Sequence, residues 1–503
     1  MDSSVASSEV FDPTGNIPTE ILAYIFHLCT DATTFQASSP SNLPAQNRWH
    51  WSVITHVCAR WRAVAIANPS FWQQLDLGAP LAWTETVALR APPAGPLHIA
   101  CSRPITLIDS DRLVRGIISR VRTLHIEDSS RTDVSDYFAE ALGAPAPLLE
   151  QATLRARLFA KLPKDLFGGH APLLRRLVLK EVYLNEDMDT SILSGLVSLS
   201  MNCDNGDLSV PLRFVRATPD LEDLTLHTCN FERDTGHQDD PIELPRLSHL
   251  SLEGGMNCLA QTLSHLRIPS TARITTSVTD HWTDIDEVYR EVYTHLSRGG
   301  PFALPFISVT LGHSDETTRA ATLRLLAWRE DPGHNMRSEA LLDLDFQMHF
   351  RERGSMLGPS LEMMHRAFDA PRYLDIAIED DARLGWGSDT TVWSGFLQSD
   401  FTGRVETIRT PVRGAHELCK ALRASPGFAC PQLTVLRLVV ESIVTETDQD
   451  SGIDVIVGAV AACVKERGEA GRPIRVEVEG NASQDYERAI QVAMPEAIML
   501  RDA

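Results

Sequence analysis

An α/β fold, with a short helical module in front of a long body of alternating strands and helices, is the class this sequence predicts. Three observations point to it. Apolar residues near the N-terminus recur at three- and four-residue steps, a strand-like apolar pattern returns at a near-constant interval beyond residue 77, and helical periodicity lies between its copies. Of 503 residues, 43% are hydrophobic and 22% charged, an ordinary globular composition far from the charge-rich signature of disorder. Lys and Arg total 46 against 67 Asp and Glu, a net charge of −21. That charge repels phosphate backbones and anionic lipid, so no nucleic-acid or membrane partner is expected. The apolar stretch from Val455 to Val464 is far short of the ~20 residues that cross a bilayer.

Residues 1–15 read as a disordered tail. Met1 to Glu9 has no basic residue and no apolar run behind it, so it lacks the parts of a secretory signal and a cytoplasmic or nuclear location is expected. Nine cysteines, none at C-x-x-C spacing, read as reduced, buried thiols.

A helix is predicted to start at Pro18, a residue favoured at the first helical position, with Glu20 at the positive end of the dipole. Ile21, Leu22, Ile25, Phe26 and Cys29 then give it an apolar face. Residues 31–47, rich in Ser, Thr, Pro and Asn, read as an inserted loop. A second series, Ile54, Val57, Cys58, Trp61, Val64 and Ala65, follows the 3.6-residue period until Asn68-Pro69 ends it. Phe71, Trp72, Leu75 and Leu77 close the segment. Trp49, Trp51, Trp61, Trp72 and Trp83 fall in this short region, which implies tight helix packing or aromatic surface kept for a partner.

Residues 16–78 thus form one unit. Its segments Ile17-Pro18-Thr19-Glu20-Ile21-Leu22 with Ile25-Phe26, Val57-Cys58-Ala59-Arg60-Trp61-Arg62, and Asn68-Pro69-Ser70-Phe71-Trp72 resemble, in that order, an F-box, and F-box proteins of mushroom-forming fungi often carry a long insert such as 31–47. The family usually has Leu where Ile17 stands and seldom carries an insert as long as 31–47. The resemblance implies a three-helix module that binds the Skp-type adaptor of a cullin ubiquitin ligase. Carried over by position, the adaptor contacts would come from Pro18, Ile21, Leu22, Ile25, Phe26, Val57, Cys58 and Trp61. A module of this size cannot bury every large apolar side chain, so about half of these are expected in its core and half at the interface.

Residues 79–503 read as an α/β solenoid, or horseshoe. Leu149-Ala152-Leu154, Leu174-Leu177-Leu179, Leu196-Leu199-Met201, Leu221-Leu224-Leu226 and Leu247-Leu250-Leu252 repeat one spacing at steps of 25, 22, 25 and 26 residues, inside the range of leucine-rich repeats. Cys229 and Phe231 extend the copy at Leu221. Weaker copies stand at Val121-Leu124-Ile126, Phe306-Val309-Leu311, Leu341-Leu344-Phe346, Val405-Ile408 and Leu433-Leu436-Leu438. Helices are expected over 105–120 and over 316–330, where Leu323, Leu326 and Ala327 share a face. One strand with one helix cannot bury both faces, whereas stacked copies share a core. A weak break is expected near Gly299-Gly300-Pro301, and helix, strand and helix over 452–464, 472–479 and 486–494 are expected to cap the end.

Motifs that carry chemistry are missing. The sequence has no phosphate-binding Gly-x-x-x-x-Gly-Lys and no Gly-x-Ser-x-Gly elbow, and its seventeen histidines show no metal-ligand spacing. No catalytic residue, cofactor or metal site is predicted. Asp343 and Asp345 lie on one face of a strand-like run, as paired acid and base carboxylates would, but equally as the wet face of a half-buried strand does. The acidic groups Glu379-Asp380-Asp381 and Glu446, Asp448 and Asp450 are candidates to attract a basic substrate patch.

The expected function is therefore the substrate-recognition subunit of a Skp, cullin and F-box ubiquitin ligase, non-catalytic itself, holding a target protein on its repeats. Replacing Leu22 and Trp61 is expected to abolish adaptor binding. A second reading is an F-box and repeat scaffold without ubiquitin transfer. A third is an enzyme site assembled from distant loops around Asp343 and Asp345.

Overall fold

The computed structural model describes residues 14–31, 53–101, 110–128, 134–184, 187–202, 208–229, 240–278, 306–315, 320–328, 340–349, 371–378, 394, 397, 402–424, 429–440, 453–480 and 484–500. It is mixed α/β with mostly parallel strands. Packing divides it into two compact units, Met1–Gly195 and Leu196–Ala503. The break expected at 299–301 lies outside the described residues.

The first unit begins with three helices, α1 (Thr19–Asp31), α2 (Ile54–Val57) and α3 (Ala59–Ala67). The second apolar series is not one helix. Cys58 is extended at φ −153° and ψ 170°, and its sulfur accepts the Trp61 N–H at 3.4 Å as a cap for α3. A turn at Pro69–Trp72 buries Phe71 and Trp72. Five parallel strands follow in chain order, β1 (Gln74–Asp76), β2 (Leu97–Cys101), β3 (Val121–Asp128), β4 (Gln151–Lys161) and β5 (Arg176–Tyr183). The helices α4 (Leu81–Arg90), α5 (Ser110–Ile117) and α6 (Ser135–Leu142) connect the first four. Register stacks Leu75, Ile99, Leu124, Ala152 and Leu177 in one row, and Cys101, Ile126, Leu154 and Leu179 in the next. All nine are buried; each fully buried Leu or Ile contributes ~1.5–3 kcal/mol, so the periodic leucines are the core.

The second unit starts with β6 (Ser198–Asn202), α7 (Ser209–Arg216), β7 (Asp223–Cys229), β8 (Ile242–Glu243), β9 (His249–Gly254), α8 (Met256–His265), β10 (Leu266–Arg267) and β11 (Arg273–Val278). Strands β6, β7, β9 and β11 are parallel neighbours, and β8 pairs separately with β10. Leu199, Leu224, Leu250 and Ile274 form one buried row, and Met201, Leu226, Leu252 and Thr276 the next.

Beyond β11 the order inverts. Strands β12 (Phe306–Asp315), β13 (Ala320–Trp328) and β14 (Leu342–His349) form an antiparallel meander, with β14 parallel to β11 and β12 parallel to β15 (Tyr373–Ile378). The spatial order is therefore β11, β14, β13, β12, β15, with β13 reversed. The helix expected over 316–330 is corrected here, because 320–328 is strand β13. Leu325, Leu326, Ala327 and Trp328 are all buried, so both faces of this strand are covered. A strand buried on both faces carries a continuous apolar run, which period alone does not separate from a helix.

From β15 the parallel ladder resumes through β16 (Thr407–Pro411), α9 (Val412–Ala424), β17 (Val435–Val439), α10 (Ile453–Glu469), β18 (Arg475–Glu479), α11 (Gln484–Ala493) and β19 (Ile498–Leu500). Helix, strand and helix at the end match the expectation, and β19 is an addition to it. Cys101, Cys258, Cys419, Cys430 and Cys463 are buried free thiols and Cys58 is a half-buried one. Among the described residues no helix is long and apolar enough to cross a membrane.

Candidate functional site

Helix α1 carries two adjacent apolar arcs. Leu22 and Phe26 turn inward and are 1% exposed each, with Phe26 against Trp61 at 4.9 Å and Phe71 at 6.2 Å between ring centroids. Ile21, Tyr24, Ile25 and Leu28 follow the spacing i, i+3, i+4, i+7 of a single helix face and are 50%, 61%, 37% and 52% exposed. Val53 and Val57, at 55% each, and Ile66 add exposed apolar surface on the next two helices. Val57 is the last residue of α2, which ends at the extended Cys58.

The module is held rigid beneath this surface. The Arg60 guanidinium donates to the Thr14 and Ile17 carbonyls, so α3 grips the segment that leads into α1. The Trp61 indole N–H donates to Thr14 Oγ1 at 2.8 Å, and Arg62 Nε to the Thr55 carbonyl at 2.7 Å. Trp72 donates to the Ala65 carbonyl at 3.1 Å, with the Arg90 guanidinium 4.5 Å over its ring.

The structure thus separates the eight residues expected at the adaptor contact. Pro18, Ile21, Ile25 and Val57 are exposed, Cys58 and Trp61 are half-buried, and Leu22 and Phe26 belong to the core. Tyr24, Leu28, Val53 and Ile66 share the exposed apolar surface and are not among those eight. The i, i+3, i+4, i+7 set on α1 is present in the sequence, but it is offset by one residue from the inward pair Leu22 and Phe26, and the two merge into one broad stripe.

A second surface is the polar side of the sheet in the Leu196–Ala503 unit. One row across β6, β7, β9 and β11 reads Ser198, Asp223, His249 and Arg273. The next reads Ser200, Thr225, Ser251 and Thr275, continuing to Asp343 on β14. Ser277 lies beside both Glu253 and Asp345. Except for the exposed Arg273, these residues are half-exposed. Asp343 accepts a bidentate pair from Arg324 at 2.8 and 2.6 Å, so it is an ion-pair partner and not a free base. Burial pushes the Asp345 carboxyl up, Arg324 pulls it down and Asp343 pushes it up again, with a net rise. His227 Nδ1 lies 2.8 Å from Glu253 Oε2. Burial lowers the pKa of His249, against the pull of Asp223 at 4.0 Å.

Farther along, Arg409 bridges Asp375 at 3.2 Å and Glu479 at 3.0 Å, and Ser308 donates to Asp375 at 2.9 Å. Burial raises the Asp375 pKa despite Arg409 and the Ser308 hydrogen bond. Arg437 and Arg475 both hold Glu477. This network is internally paired and buries Asp375 and Glu477, as a structural ion cluster does. Among the described residues, no group of three His, Cys, Asp or Glu is arranged to hold a metal ion. The acidic groups at 379–381 and 446–450 lie outside the described residues. No family model and no curated protein matches the chain.

Proposed function

We propose that this protein is the substrate-recognition subunit of a Skp, cullin and F-box ubiquitin ligase. The front helices dock the adaptor and the strand-rich body, read as a leucine-rich-repeat-like solenoid, holds a target protein. The observation that carries this reading is the outward face of Ile21, Tyr24, Ile25 and Leu28, apolar at all four positions on a helix whose other apolar arc already fills the core. A soluble monomer rarely leaves such a face open, and an apolar arc at this spacing is how a helix docks in a groove. The chain performs no bond chemistry in this reading; it raises the effective concentration of a target beside the ubiquitin-loading enzyme.

The test is co-elution of the full chain with the Skp-type adaptor, compared with the Ile21→Glu/Val57→Glu variant. Both positions are exposed, so the variant is expected to keep the wild-type melting temperature and lose the stoichiometric complex. A complex of undiminished affinity overturns the proposed interface.

A further inference from the structure

The polar sheet face from β6 to β14 has a chemistry that selects its occupant. Charge is unevenly divided: Met1–Gly195 carries 17 Lys and Arg against 20 Asp and Glu, whereas Leu196–Ala503 carries 29 against 47. The imbalance is steepest over residues 196–350, with 12 basic against 23 acidic residues. The floor of the face is made of short hydroxyl side chains, Ser200, Thr225, Ser251, Thr275 and Ser277, all half-exposed. The equivalent row across β3 to β5 reads His125, Thr153 and Val178, so it carries one hydroxyl in three positions.

Carboxylates flank that floor. Glu253 and Asp345 stand on either side of Ser277, two strand spacings or ~10 Å apart between backbones. A cation held above Ser277 is within reach of both. Asp343 is one pleat along from Asp345, and Asp223 lies across the face. Among the described residues, four cationic or titratable side chains lie on or beside this face, and Arg324 stands next to Asp345 as well as Asp343. Arg324 is paired with Asp343, His249 lies 4.0 Å from Asp223, His227 bonds Glu253, and Arg273 sits at the exposed start of β11.

We propose that this face docks a Lys- and Arg-rich segment of the recruited protein, its long basic side chains reaching down to the hydroxyl floor between the carboxylates. The proposal rests on the target-binding reading above and adds the class of target. Opposite potentials would set both the encounter rate and the choice of partner.

The experiment titrates the full chain with a synthetic Lys- and Arg-rich peptide of about eight residues, which when extended crosses the ~20 Å of five strands. A Glu-rich peptide of equal length is the control ligand. Two variants of equal charge are compared: Glu253→Gln/Asp345→Asn on the face, and Asp454→Asn/Glu469→Gln on the exposed side of α10. The face variant is expected to weaken the basic peptide about tenfold, and the α10 variant less than about twofold. No binding of the basic peptide, binding no tighter than the acidic one, or equal weakening in both variants overturns the proposal. Adaptor co-elution of the same variants separates the two readings, because the face variant leaves the front helices untouched.

Discussion

Arg409 shows what single residues do in this fold. It is the only cation touching both Asp375 and Glu479 among the described residues, and Asp375 is 4% exposed. Replacing Arg409 by Met leaves the buried Asp375 with its Ser308 hydrogen bond but without its cation, and is expected to cost about 3–5 kcal/mol, read by chemical denaturation. Asp345 works in the opposite direction. Its folded-state pKa lies above the ordinary 3.8, so the native state keeps the proton longer than the unfolded chain does. Stability from this group therefore falls as pH rises from the ordinary value through the raised one, and the loss is complete above it. Asp345→Asn removes that loss, so it is expected to raise the melting temperature at pH 7 and leave it unchanged at pH 3. A lower melting temperature at pH 7 would show that the carboxylate is stabilising. The same substitution is expected to weaken the basic peptide, so stability and binding move in opposite directions.

At the scale of elements, the two faces of one strand make a direct comparison. Leu224 and Thr225 are neighbours on β7, the first buried in the apolar row and the second in the hydroxyl row. Leu224→Ala is expected to cost about 2–5 kcal/mol, and Thr225→Ala to stay within ~0.5 kcal/mol, both measured by thermal unfolding. The apolar row was legible in the sequence because parallel strands repeat one spacing, and Leu149, Leu174, Leu196, Leu221 and Leu247 stand at near-equal steps. The wet row was not legible, because serine and threonine carry no period that sets them apart from loop residues. Over β13 the sequence predicts a helix, since Leu325, Leu326, Ala327 and Trp328 bury both faces and erase the alternation that marks a strand. On α1 the periodicity marked the helix, yet it did not divide Ile21 from Leu22, because which arc faces inward depends on where Trp61 and Phe71 arrive.

For the whole molecule, the proposed receptor role is tested by ubiquitin transfer. Reconstitution with adaptor, cullin and a bound partner is expected to modify that partner with wild-type chain and not with Ile21→Glu/Val57→Glu. A scaffold without transfer predicts no modification in either case, even where the adaptor complex forms. Asp343, tied in a bidentate pair to Arg324, offers no free base for the reading of a hidden enzyme.

The inverted strand order also bears on how the chain is synthesised. After β11 leaves the ribosome its outer edge stays unpaired until β14 emerges, roughly sixty residues later, and the meander of β12 and β13 closes first because its pairing is local. During that interval the nascent chain presents an open parallel edge to its neighbours on the polysome. Nascent chains stalled before β14 are therefore expected to be cut by protease within β9 and β11, and chains stalled after it to be protected there.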